Sequence, residues 1–213
     1  MHLGSGASAT AIQNGKSIDT TMGLTPLEGL PGATRSGSVD PSLVFHYTSD
    51  ASSLARSSTK ELHISVAEEI LNKQAGWSSM IGTTDFSKVV KGMREGNKEM
   101  KLVFDLFVDR ITGYIGNYFV KLGGKVDALT FSGGIGERSE DLRKAVIDKV
   151  ACLGFELDDL YGSPKIDGSV TRLGRNILVV NTNEEVRPMV FGNTNWGLTF
   201  SSLVRDGSRM CTR

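Results

Sequence analysis

Two glycine-bearing turns are the segments of this chain best suited to chemistry. The first is His2-Leu3-Gly4-Ser5-Gly6. The second is Gly133-Gly134-Ile135-Gly136-Glu137-Arg138, set between a short apolar run and a helix start. Glycine at such places lets backbone N–H groups approach phosphate oxygens or a ring face that a side chain would hold away. The strand–glycine–helix order of the second also puts it at a helix N-terminus, which attracts anions. Neither turn matches the Walker pattern, because no Gly-Lys-Ser/Thr follows, and the second lacks the G-x-G-x-x-G of a dinucleotide fold. Taken singly, each is equally an ordinary structural turn.

Three polar positions add to these turns. Arg35 stands alone in Ala33-Thr34-Arg35-Ser36-Gly37, a setting suited to a guanidinium that reaches a phosphoryl group, or to a solvated surface arginine. Glu184 and Glu185 follow an apolar run, where a carboxylate can hold Mg²⁺ or simply cap a helix. His2 could bond a phosphate, whereas His46 and His63 have no ligand-like spacing and read as surface or structural residues. No Ser-His-Asp order or metal-binding His pair is present.

The elements that must position these residues follow from composition and period. With 213 residues, the chain is long enough to bury a core without staples. Its 24 basic and 24 acidic residues cancel, which excludes nucleic-acid binding driven by bulk charge. Two cysteines are too few for a disulfide scaffold or a Cys-based zinc site. No apolar run approaches the ~20 residues that span a bilayer, and the first residues have no secretory pattern. The expectation is a soluble cytoplasmic protein with neither membrane nor nucleic-acid partners.

Ala7 to Ile12 and Lys16 to Thr20 flank Asn14-Gly15 and predict a hairpin. Gly23 to Pro41 reads as loop. Ser58-Thr59-Lys60-Glu61 fits a capping box opening a helix that stops at Gly76, and Gly82 to Phe86 reads as a short loop. Val103, Phe107, Ile111, Tyr114, Tyr118 and Leu122 recur at helical spacing, so a core helix is expected from about Lys98 to Leu122. Val126 to Phe131 and Ile177 to Val180 read as buried strands, and Ser139 caps a helix carrying Leu142, Val146 and Val150. Strands alternating with helices predict an α/β fold with a mixed sheet flanked by helices.

Taken together, these segments resemble acetate kinases. The carriers are His2 to Ser8, Met22 to Leu30, Thr34 to Pro41, Ala67 to Lys73, Gly82 to Phe86, Phe131 to Glu137 and Asn181 to Glu185, in the family's order. The resemblance implies a ribonuclease H-like domain of the actin-like ATPase superfamily. It implies Mg-ATP-dependent phosphoryl transfer to acetate, giving acetyl phosphate and ADP, with Mg²⁺ as cofactor. By position, His2, Leu3, Gly4, Ser5 and Gly6 look like the turn that holds the ATP phosphates. Arg35 looks like the arginine that stabilises the transferring phosphoryl group. Asp85, Phe86 and Ser87 look like one wall of the adenosine pocket, and Gly134, Ile135, Gly136, Glu137 and Arg138 like the other. Glu184 looks like the magnesium ligand.

Some positions depart from the family pattern. Ser5 and Arg138 stand where asparagine is common, and Ser87 where arginine is common. The family's N-terminal half, with its catalytic aspartate and acetate-holding groups, has no copy here. The expected organisation is therefore a C-terminal nucleotide-binding domain over 1–185, lacking its partner domain, followed by an atypical tail over 186–213. Pro188 would interrupt the family's last helix there. Such a chain is expected to be inactive alone and to pair as a homodimer or with a full-length kinase. The alternatives are a non-catalytic nucleotide-binding or dimerisation fragment, or a related short-chain carboxylate kinase.

Overall fold

The computed structural model describes residues 1–47, 51–60, 63–158 and 169–182. The chain opens with β1 (His2–Leu3) and β2 (Ala7–Ser8), paired antiparallel. Next come β3 (Thr10–Gln13) and β4 (Lys16–Thr20), the expected hairpin. Both turn residues have positive φ, Asn14 at 53° and Gly15 at 75°, the geometry that makes Asn-Gly a hairpin signal. A stretch without regular structure leads to α1 (Ser42–Tyr47).

The helices that follow are set by their caps. α2 (Val66–Lys73) starts at Ser65, whose side chain accepts from the Glu68 amide at 3.1 Å. The Ser-x-x-Glu signal is therefore at Ser65, not at Ser58. Gly76 does not simply stop that helix either, because it opens α3 (Gly76–Ile81). Asp85 caps α4 (Phe86–Arg94), where loop was expected to reach Phe86. Asn97 caps α5, which runs from Lys98 to Lys121 as its period predicts. α5 buries Val103, Phe104, Phe107, Val108, Ile111, Ile115 and Tyr118, and so forms the centre of the core.

Around α5, Trp77 and Phe86 meet Phe107 edge to face, at centroid distances of 5.4 Å each. Fully burying such rings contributes about 2–3 kcal/mol apiece. Beyond α5 lie β5 (Leu129–Phe131), α6 (Gly133–Arg138), α7 (Glu140–Val150), β6 (Val170–Gly174) and β7 (Ile177–Val180). β7 lies between β5, its parallel neighbour, and β6, its antiparallel one, so the sheet is mixed as expected. The parallel pair is covered, with Phe131, Ile177 and Val179 all 0% exposed, against α7's Leu142 and Val146 in the same core. β1 adds to the other edge of β5: the Leu3 amide donates to Ser132 O at 2.8 Å and the Ser132 amide to Met1 O at 2.9 Å.

Tyr118 gives this core a pH signature. Its hydroxyl is buried with no hydrogen-bond partner among the described residues. Burial first, then the charges of Asp19 and Tyr114, push its pKa up to about 12 from 10.0. The unfolded chain gives up this proton first, so stability falls as pH rises from 10 toward 12. In an ultraviolet difference titration, one of the four tyrosines is expected to be absent from the transition near pH 10 and to join it once the protein is unfolded.

Candidate functional site

The His2–Gly6 turn lies where β1 meets β5, and α6 opens immediately beyond that join. Inside the turn the Gly4 amide donates to Gly6 O at 3.1 Å. The Ser5 and Gly6 amides have no acceptor among the described residues. These are two donors at a bend of the kind that binds anionic oxygens.

Arg35 is brought to this turn by a stitched loop. The Ala33 amide donates to Ser5 O at 2.7 Å, Thr34 Oγ1 to Asn72 O at 3.0 Å, and the Ser36 amide to Leu71 O at 3.0 Å. The Trp77 amide closes the other side on Gly32 O at 3.2 Å. The loop is thus held by the end of α2 and the start of α3, and Arg35 projects over Gly6. A Cβ on Gly6 would stand 3.1 Å from Arg35 Nη1. The guanidinium is half-buried and has no hydrogen-bond or ion-pair partner among the described residues. A guanidinium beside two turn amides, none with an acceptor among the described residues, is chemically suited to anionic oxygens.

The second glycine segment is a helix, not the loop expected from its composition. Gly133, at φ 77°, packs against the backbone of β1: a Cβ there would stand 2.8 Å from Leu3 O and 2.9 Å from Leu3 N. The two glycine segments therefore share one junction. The Gly133 amide, expected to be open to an anion, donates instead to Glu137 Oε1 at 3.0 Å. Gly134 is exposed, with nothing within 4 Å of a Cβ built on it. Ile135 is half-buried against the core, Gly136 is buried against Leu3, and Arg138 closes the helix, exposed.

The remaining candidates divide. Asp85 and Ser87 are exposed, with the Ser87 amide donating to Asp85 Oδ1 at 2.9 Å and its hydroxyl to the same oxygen at 2.7 Å. These bonds, the hydroxyl's first, hold the Asp85 carboxyl below its ordinary pKa. Phe86 points the other way, 5% exposed in the cluster with Trp77 and Phe107, so its ring belongs to the core. α4 is held toward α7 by Arg94, which bonds Asp141 at 3.1 and 2.6 Å. His2 is exposed, with its ring beside Gly4 and Gly133. Glu184 and the 186–213 tail lie outside the described residues.

Two residues were not anticipated. Arg143 of α7 is 7% exposed and donates through Nη1 to Gly136 O at 2.9 Å and Glu137 O at 2.6 Å. Burial lowers its pKa, yet it remains a guanidinium that ties down the end of α6. Thr182 donates from its amide and hydroxyl to Glu137 Oε1, at 2.9 and 2.8 Å. The only sequence signal for Arg143 was its place on the apolar side of α7, and for Thr182 its place in the Asn181 to Glu185 segment of the family resemblance.

Residues 1–190 match the Acetokinase family. This chain belongs to the acetokinase family. It is 63% identical over 158 residues to a probable acetate kinase of Emericella nidulans, covering 74% of this chain and 37% of that protein. To the probable acetate kinase of Neurospora crassa it is 59% identical, covering 87% and 46%. A solved propionate kinase from Francisella tularensis aligns with TM-score 0.70 at 41% identity, over 86% of this chain and 45% of that one. The acetate kinase of Porphyromonas gingivalis aligns with TM-score 0.71 at 30% identity, over 85% and 44%. The chain thus spans less than half the length of these acetokinase relatives. The neighbours and the mixed α/β architecture agree with a fragment of the actin-like ATPase fold. Among the described residues no helix is long and apolar enough to cross a membrane.

The described residues offer donors for the phosphates of a nucleotide, and the expected metal ligand, Glu184, lies outside them. Among the described residues no cluster of three His, Cys, Asp or Glu exists. A magnesium ion bound with a nucleotide needs only one or two carboxylates, since phosphates and water complete its shell. The donors at Ser5, Gly6 and Arg35, which have no acceptor among the described residues, suit phosphate oxygens, and the face at Gly134 is open.

Proposed function

We propose that this chain forms the nucleotide-holding half of a Mg-ATP-dependent carboxylate kinase, with acetate as the acceptor and acetyl phosphate and ADP as products. The observation that carries this reading is Arg35 Nη1 poised over Gly6 beside two turn amides that have no acceptor among the described residues. In the reaction the bond between the γ-phosphorus and its bridging oxygen breaks as a carboxylate oxygen bonds the phosphorus. Such a transfer is served by positioning and charge neutralisation. The Ser5 and Gly6 amides would hold phosphate oxygens, and Arg35 would stabilise the equatorial oxygens of the moving group. Glu184 would hold Mg²⁺, which when bound would offset the charge of the phosphates. Gly134 to Arg138, with Asp85 and Ser87, would flank the adenosine.

The relatives' unmatched half leaves the acceptor side unassigned, and in an open half-cleft water screens the charges that assist transfer. Purified chain given Mg-ATP and acetate is therefore expected to form no acetyl phosphate above background. Turnover comparable to a full-length acetate kinase would refute the half-site reading. Propionate is the competing acceptor, since one solved relative is a propionate kinase.

A pairing role is favoured by one surface. Leu102 and Leu106 on α5 and Met80 on α3 are 55%, 39% and 46% exposed. Met80 and Leu106 also line a hollow of about 260 Å³. A homodimer, or a pair with a full-length kinase, would cover them. Light scattering that finds only monomer at high concentration would count against it.

A further inference from the structure

Glu137 sits in the glycine segment assigned to the nucleotide, yet its Oε1 already serves three donors. Gly133 N lies at 3.0 Å, Thr182 N at 2.9 Å and Thr182 Oγ1 at 2.8 Å. An oxygen so occupied has no capacity left to accept from a ribose hydroxyl. The Glu137 backbone is itself fixed, because buried Arg143 bonds the carbonyls of Gly136 and Glu137. On the other side, β7 is fixed by pairing Val179 with Phe131. Thr182 lies two residues past the end of β7, and Glu184 two residues further along the sequence.

We propose that Glu137 is a positioning residue, a strut through Oε1 that sets where the chain leaves β7 relative to the His2–Gly6 junction. It acts through Thr182, and so sets the point from which the chain continues to Glu184. A carboxylate suits the task because it only accepts, and three donors converge on it. The strut stands on the geometry alone. Its consequence for a metal–nucleotide complex rests on the proposed function.

The test is amide exchange by NMR on the labelled chain, with Glu137→Ala, Glu137→Gln and Thr182→Val, together with ADP affinity with and without Mg²⁺. Glu137→Ala is expected to speed exchange at Gly133 and Thr182 at least about tenfold while α7 amides stay within about twofold. Glu137→Gln, which keeps an acceptor oxygen, restores part of the protection. Thr182→Val, which loses only the hydroxyl donor, gives a smaller change at Thr182. In Glu137→Ala the affinity for ADP with Mg²⁺ falls by a larger factor than the metal-free affinity does.

An unchanged Thr182 amide, or α7 amides that accelerate in step, would overturn the strut. A loss of metal-free ADP affinity equal to the loss with Mg²⁺ would return Glu137 to direct nucleotide contact and overturn the positioning role. If the unsubstituted chain binds no ADP under either condition, the proposed function fails, and the exchange data still decide the strut. If Glu137→Ala does not fold, Glu137→Gln and Thr182→Val carry the same exchange comparison.

Discussion

Gly133→Ala is expected to destabilise the chain by about 3–4 kcal/mol, while Gly134→Ala, one residue on, stabilises it by about 0.5–1 kcal/mol. At φ 77° a side chain is strained on its own account by roughly 1–2 kcal/mol. In addition, the new Cβ would meet Leu3 O at 2.8 Å and Leu3 N at 2.9 Å, backbone atoms that are part of the β1–β5 join. Relief would require β1 to move away from β5. Gly134 has helical φ and open space around it, so alanine there only removes backbone freedom from the unfolded chain. Urea unfolding of the two variants is the check. Equal midpoints would mean that the two glycine segments do not touch as described.

Arg35→Ala is expected to weaken MgATP binding about 10- to 100-fold and to leave stability within about 0.5 kcal/mol. The first figure is the usual worth of charge-assisted hydrogen bonds to phosphate, about 1.5–3 kcal/mol. The second follows because the guanidinium holds no described partner, so nothing is orphaned by its loss. Arg35→Lys should recover little, since an ammonium cannot reproduce the planar fork. Calorimetric titration beside a thermal melt separates the two effects. A variant that binds normally would remove Arg35 from the site.

How far the fold could be read from the chain depended on how local its causes were. The Asn14-Gly15 hairpin and α5 were legible because turn chemistry and helical period act within a few residues. The cap of α2 was misplaced to Ser58 although Ser65 carries the same signal with Glu68. α6 was missed for a physical reason. Three of its six residues are glycine, a poor helix former. What stabilises it comes from elsewhere, namely Arg143 on its carbonyls and Leu3 beneath it.

The site was legible in the same graded way. The two turns and Arg35 stood out by residue type, but the Arg35 loop is set over Gly6 by bonds to Ser5, Leu71, Asn72 and Trp77, each about 30 to 45 residues away along the chain. Phe86 matched the family pattern, yet its ring is spent on the core, a consequence of burial against Trp77 and Phe107 that no local signal carried. The partner of Glu137 lies 45 residues away and could only be seen in the folded chain.

The proposed function requires that phosphates sit between the His2–Gly6 turn and Arg35, with the adenosine against the face of α6. The most direct measurement is an NMR titration of the labelled chain with MgATP, following backbone amides. Saturable shifts are expected at Ser5, Gly6 and Gly134, with the amides around Leu102 and Leu106 unmoved. Shifts confined to other surfaces, or none at Ser5 and Gly6 at saturating nucleotide, would contradict the proposed function.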